Sequence, residues 1–112
     1  MDDSKQRSPR FTIHQLVEIQ FSVETFFQAE GINLSETGVL CSTESVIEPY
    51  TKVFIMIEMQ LKEGNYTLKT EGVVMRCEKE NGNFQVGIQF DSLFQSEKEK
   101  LKEYLEVISE EE

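Results

Sequence analysis

What most restricts the fold of this chain is a period of two in its hydrophobic residues, carried through several runs that short turn signals separate. Residues 84–91 show it most cleanly: Phe84, Val86, Ile88 and Phe90 alternate with Gln85, Gly87, Gln89 and Asp91. Such alternation gives a strand with one buried and one wetted face. Residues 11–24 repeat it, with Val17, Ile19, Phe21 and Val23 against Glu18, Gln20, Ser22 and Glu24, and predict a single first strand. Residues 25–34 form a less regular second strand, in which Gly31 marks a bulge or a close backbone approach. A short third strand follows over residues 39–43, and Pro49 places residues 44–49 in a connection.

Residues 52–61 are strongly strand-like. Val53, Ile55, Ile57 and Met59 share one face, while Phe54 and Met56 make the other face apolar near one end. Apolar residues on both faces predict a second covering layer, and the C-terminal segment is the available cover. Glu63-Gly64-Asn65 signals a turn, residues 66–77 resume the strand pattern, and Gly72 is placed to relieve curvature. Asn81-Gly82 is the strongest hairpin signal, because a tight hairpin needs positive φ at both positions.

The period then changes. Ser96 and Glu99 have the spacing of a capping box, and Leu101, Tyr104, Leu105 and Ile108 form an apolar stripe, predicting a helix of three to four turns against the sheet. Six antiparallel strands followed by one helix make an all-β domain, and periodicity alone leaves both a small closed barrel and a sandwich open. At 112 residues the chain suits one core.

Between the second and third strands lies Gly31-Ile32-Asn33-Leu34-Ser35-Glu36-Thr37-Gly38. Asn33 and Ser35 have short side chains that can bond to nearby backbone or to a ligand, and Gly38 is suited to a positive φ. These residues fit the Asx-x-Ser-x-x-Gly signature of the PilZ family. Upstream, Gln6-Arg7-Ser8-Pro9-Arg10 stands where that family carries Arg-x-x-x-Arg, with Gln6 in the first arginine position. The chain therefore resembles a single PilZ domain over nearly its whole length. The resemblance implies a six-stranded split barrel with a C-terminal helix. It also implies cyclic di-GMP as a regulatory ligand, held by Arg10, Asn33, Ser35 and Gly38 with Gln6 and Arg7 beside them. Arg10 would contribute charge-assisted bonds and a plane for stacking, Asn33 an amide edge, and Ser35 a hydroxyl. Gln6 brings no charge, and loss of one charge-assisted contact weakens binding by about 1–3 kcal/mol, roughly tenfold to a hundredfold.

Charge and composition narrow the partners. Asp and Glu number 21 against 11 Lys plus Arg, a formal net charge of -10 that disfavours general binding to DNA, RNA or an anionic membrane. Residues 1–10 read as a flexible arm carrying the cations Lys5, Arg7 and Arg10, and residues 11–112 as the barrel and helix. Neither a signal-peptide pattern nor a long apolar run is present, so a cytoplasmic location is the expectation. Cys41 and Cys77 are expected as separate thiols, since pairing would need adjacent strands.

Enzyme chemistry has little to stand on. His14 is the lone histidine, no metal-ligand spacing is seen, and Ser35 lacks a nucleophile elbow. The expectation is a non-enzymatic receptor or adaptor with a downstream protein partner. The alternative is a nucleotide-independent interaction domain in motility, attachment or envelope regulation, and a small enzyme is the weakest reading.

Overall fold

The structure is a computed structural model that describes residues 9–20 and 26–111. Its elements are β1 (Phe11–Thr12), β2 (Leu16–Gln20), β3 (Phe26–Leu34), β4 (Gly38–Thr43), β5 (Lys52–Leu61), β6 (Gly64–Glu80), β7 (Asn83–Phe90) and α1 (Gln95–Glu111). All strand pairs are antiparallel, in the order β1-β3-β2-β5-β6-β7-β4, and pairing of β3 with β4 closes the sheet. The result is a closed six-stranded barrel, to which β1 adds a short extra strand beside β3. Closure decides between the two architectures that alternation left open: in a sandwich β3 and β4 would end as edges, whereas here they complete each other's hydrogen bonds.

The inward positions are those that alternation marked. Val17 stands opposite Ile57 and Ile57 opposite Leu68, Ile19 opposite Ile55, and Val39 opposite Ile88 and Ile88 opposite Val74, all buried. Full burial of each such side chain contributes about 1.5–3 kcal/mol. Cys41 and Cys77 both pair with Val86 of β7, so a whole strand separates them and both remain thiols.

The first predicted strand is divided. β1 and β2 pair with the same β3, yet three residues, 13–15, face only two between Glu30 and Asn33. The excess residue makes a bulge held by main-chain bonds from Ile13 N to Ile32 O, 3.0 Å, and from Gly31 N to Gln15 O, 2.8 Å. Side-chain alternation runs through it, because Ile13, Val17 and Ile19 are all buried. Gly31 fulfils both of its expected roles. The β3–β4 register shifts between Gly31 and Asn33, and a Cβ at Gly31 would lie 2.9 Å from Gln15 O. Part of the predicted first strand, residues 21–24, lies outside the described residues.

The β5–β6 reversal comes slightly earlier than expected. Leu61 pairs with Gly64, leaving Lys62 and Glu63 as the turn, and Gly64 opens β6 at φ 136°. At the next reversal Asn81 (φ 53°) and Gly82 (φ 87°) form the anticipated hairpin turn between the paired Glu80 and Asn83.

Three expectations about the helix are corrected. Capping does not use Ser96 and Glu99: the helix begins at Gln95, and Glu97 Oε1 accepts the Phe94 backbone N–H at 3.0 Å. At 17 residues the helix is also nearer five turns than three to four. Nor does it cover Phe54 and Met56. Leu101, Tyr104, Leu105 and Ile108 join the barrel core where α1 meets β1, β5 and β6, so the helix lies across one end of the barrel and leaves Phe54 55% exposed on the outer wall. Tyr104 OH donates to Gln15 Oε1 while Gln15 Nε2 donates to Glu58 O, a polar staple between helix and barrel. Lys100 adds an ion pair to Glu63 at 3.9 Å and stands 5.9 Å from the centre of the Tyr66 ring.

Candidate functional site

The register of β1 against β3 builds the site. Phe11 pairs with Leu34 and Thr12 with Asn33, so the chain just before β1 runs beside the end of β3. Arg10 is exposed there, and its Nη1 donates to Asn33 Oδ1 at 2.7 Å. Residues 23 positions apart are thereby joined by one hydrogen bond. The same bond fixes the orientation of the Asn33 amide, directing its oxygen to the guanidinium.

Ser35 is placed differently from its neighbours. Its side chain is fully buried, and Oγ accepts from Thr37 N and Gly38 N at 3.2 Å each. Ser35 N donates to Gly38 O at 2.9 Å, which closes the turn. The hydroxyl thus holds the three-residue reversal between β3 and β4 in shape. Thr37 clamps the turn from outside, with Thr37 O accepting from Phe90 N at 2.8 Å.

Gly38 is required for a reason that its motif position does not reveal. Among the described glycines only Gly64 and Gly82 have positive φ, so Gly38 does not use that freedom. Instead, a Cβ there would fall 2.3 Å from Ile88 O, because β7 passes directly beside it. Any side chain would push the turn away from β7.

Arg10, Asn33, Ser35 and Gly38 therefore come together around one turn, with Arg10 and Asn33 at the surface layer and Ser35 and Gly38 behind them. Gln6 and Arg7 lie outside the described residues. Two further contributors were not evident in the sequence. Thr37 occupies an unspecified position of the motif, and the apolar stripe of α1 predicts only a cover for the sheet. In the structure a groove of about 300 Å³ runs beside the turn between Pro9, Phe11 and Glu36 on one side and Lys102, Leu105 and Glu106 on the other. That juxtaposition depends on how the helix crosses the barrel end, and no local pattern encodes it.

Other chemistry is weakly represented. Burial pushes the Cys41 thiol up from 9.0 to about 12, keeping it protonated and unreactive near neutral pH. Among the described residues no group of three His, Cys, Asp or Glu side chains could hold a metal ion. No described helix is long and apolar enough to cross a membrane.

Comparison with known proteins agrees with this geometry. Residues 4–107 match the PilZ domain family, and the chain belongs to that family. A comparison with curated protein sequences finds no match. Among solved structures, the Bacillus subtilis inhibitor of motility MotI/DgrA superposes with a TM-score of 0.74 at 13% identity, covering 96% of this chain and 53% of its own. The PilZ domain of YcgR from Escherichia coli, solved with c-di-GMP, gives 0.71 at 12% identity, covering 94% and 92%. The K. pneumonia MrkH–c-di-GMP complex gives 0.71 at 14% identity, covering 94% and 52%. At these identities the likeness establishes the fold. The chain spans about half the length of the inhibitor and of MrkH.

Proposed function

We propose that this domain is a cyclic di-GMP receptor or adaptor whose ligand cleft is formed by Arg10 and the β3–β4 turn. The observation that carries the reading is the 2.7 Å bond from Arg10 to Asn33, which joins a residue of each half of the family motif. Family membership and the relatives solved with c-di-GMP support the choice of ligand.

In this reading Arg10 provides a charged fork for a phosphate or a guanine acceptor and a plane for base stacking. The Asn33 amide supplies two further N–H donors at the same edge. Ser35 acts as a positioning residue, since its hydroxyl is turned into its own turn, and Gly38 permits the turn to sit against β7. In the same reading Gln6 and Arg7 add to the ligand contacts, and binding changes the surface offered to a downstream protein. The acidic chain as a whole repels polyanions, so recognition of a dianionic ligand is confined to this local cluster.

Gln6 in the first arginine position favours a second reading, a PilZ domain that works through protein contacts without nucleotide. Calorimetric titration with cyclic di-GMP, using GTP and cyclic di-AMP as controls, separates the two. The receptor reading predicts saturable binding at micromolar concentration or tighter, weakened roughly tenfold or more in Arg10→Ala and strengthened in Gln6→Arg. Absence of binding up to about 100 μM in both the natural chain and Gln6→Arg supports the second reading.

A further inference from the structure

One outer wall of the barrel, running from the edge of the helix at Leu16 and Glu58 to Phe26 and Phe54, presents an unusual surface. On the three adjacent strands β3, β2 and β5, Phe26 and Phe54 both pair with Gln20, so the two rings stand about 10 Å apart across one amide. One row further along, Met56 pairs with Glu18. Phe26 is 63% and Phe54 55% exposed, and Leu16 on the same face of β2 is 57% exposed. A groove of about 170 Å³ opens between Phe26, Phe54 and Met56. Neither barrel closure nor helix docking requires apolar side chains here, because the buried partners of these strands point the other way.

The described charged residues on this three-strand face are Glu18, Glu30, Glu58 and, at its far end beside Phe54, Lys52, so carboxylates outnumber cations three to one. Glu18 lines the groove, Glu30 pairs with Leu16, and Glu58 lines the adjoining cleft beside Leu16. The nearest cation on the next strand is Lys69, opposite Met56, and it is offset by Glu71, opposite Phe54. The face is therefore an apolar strip edged by three carboxylates and one lysine, net acidic, on a chain of net charge -10.

We propose that this face docks a cationic amphipathic segment of a partner protein, with its apolar side on Phe26, Phe54 and Met56 and its lysines or arginines against Glu18, Glu30 and Glu58. Charge selects the occupant. A second copy of the chain would bring two net-acidic faces together, on two chains of charge -10 each. Phosphate-bearing polymers and anionic lipid are repelled for the same reason. Dimensions point the same way: three strands and three alternate rows cover about 10 by 14 Å, the footprint of one helix or strand rather than of a broad globular interface. The proposal does not depend on nucleotide binding, since the face and the Arg10–Asn33 turn share no residue.

The test is an amide-shift titration of the isotopically labelled full chain with two synthetic amphipathic helices of identical apolar face. One has lysines on its polar face, the other glutamates. The lysine peptide is expected to saturate, with shifts concentrated in β2, β3 and β5, and to bind about tenfold more weakly to Phe54→Ser. Its affinity should also fall steeply in Glu18→Lys, and the glutamate peptide should not bind. Phe54 is exposed, so the folded state of Phe54→Ser is checked by its thermal midpoint. Shifts centred on the acidic helix α1, or an unchanged Kd in Phe54→Ser, would overturn the proposal by showing attraction without a site. So would a dimer in sedimentation that Phe54→Ser abolishes, because it would assign the face to a second copy.

Discussion

Substitution at Gly38 separates two physical reasons for a glycine at this motif position. Were positive φ the requirement, Asn would replace Gly better than Ala does, since Asn tolerates the left-handed region. The structure instead puts the main chain of β7 in the way, with a Cβ 2.3 Å from Ile88 O and 3.3 Å from Gln89 Cα. Relieving that contact requires β4 and β7 to part by about 1 Å, an overpacking strain of about 1–3 kcal/mol. The Phe90 N to Thr37 O bond, now 2.8 Å, would lengthen with it and forfeit about 1 kcal/mol more. The expected loss for Gly38→Ala is therefore about 2–4 kcal/mol, or about 8–16 °C in Tm for a domain of this size. Gly38→Asn should lose at least as much. Gly82→Asn is the internal contrast: φ is 87° and nothing lies within 4 Å of a Cβ, so the cost should stay within about 1 kcal/mol. Urea and thermal unfolding of the three variants measure the effect. A Gly38→Asn protein more stable than Gly38→Ala would refute the close-approach explanation.

Tyr104→Phe removes the hydroxyl that donates to Gln15 and should cost about 0.5–1.5 kcal/mol in urea unfolding, with the barrel's near-ultraviolet spectrum retained. Ser96→Ala should leave stability unchanged within about 0.5 kcal/mol, whereas Glu97→Ala should lower it by about 0.5–1 kcal/mol, because Glu97 makes the observed cap. Cys41 has a folded pKa of about 12 against 9.0 when exposed, so the unfolded chain releases its proton first as pH rises. Its contribution is intact below pH 9 and is lost between about 9 and 12, by up to roughly 1.4 kcal/mol per pH unit. Stability measured across this range should fall less steeply in Cys41→Ala.

The parts of the fold legible in the sequence are those set by side chains within one element. The alternation of Val53, Ile55, Ile57 and Met59 delimited β5, Asn81-Gly82 specified its hairpin, and the Leu101, Tyr104, Leu105, Ile108 stripe is the buried face of α1. What escaped depends on main chain or on distant packing. The bulge at residues 13–15 leaves the hydrophobic alternation undisturbed, so it hid a break between β1 and β2. Phe54 and Met56 carry no sign of whether a helix or solvent meets them, and the helix went to the barrel end instead. At the site, the motif located the β3–β4 turn and Arg10. The inward rotation of Ser35, the clamp by Thr37 and the groove beside α1 arise from burial and strand order, to which six letters of motif are blind.

The most direct test of the central claim is an amide-resolved titration of the full chain with cyclic di-GMP. The account predicts saturable shifts centred on Arg10, Asn33 and the Ser35–Gly38 turn, extending to Lys102 and Glu106 across the groove and sparing Phe54 and Met56. Saturating shifts elsewhere, or none from the turn at ligand concentrations up to about 100 μM, would contradict it.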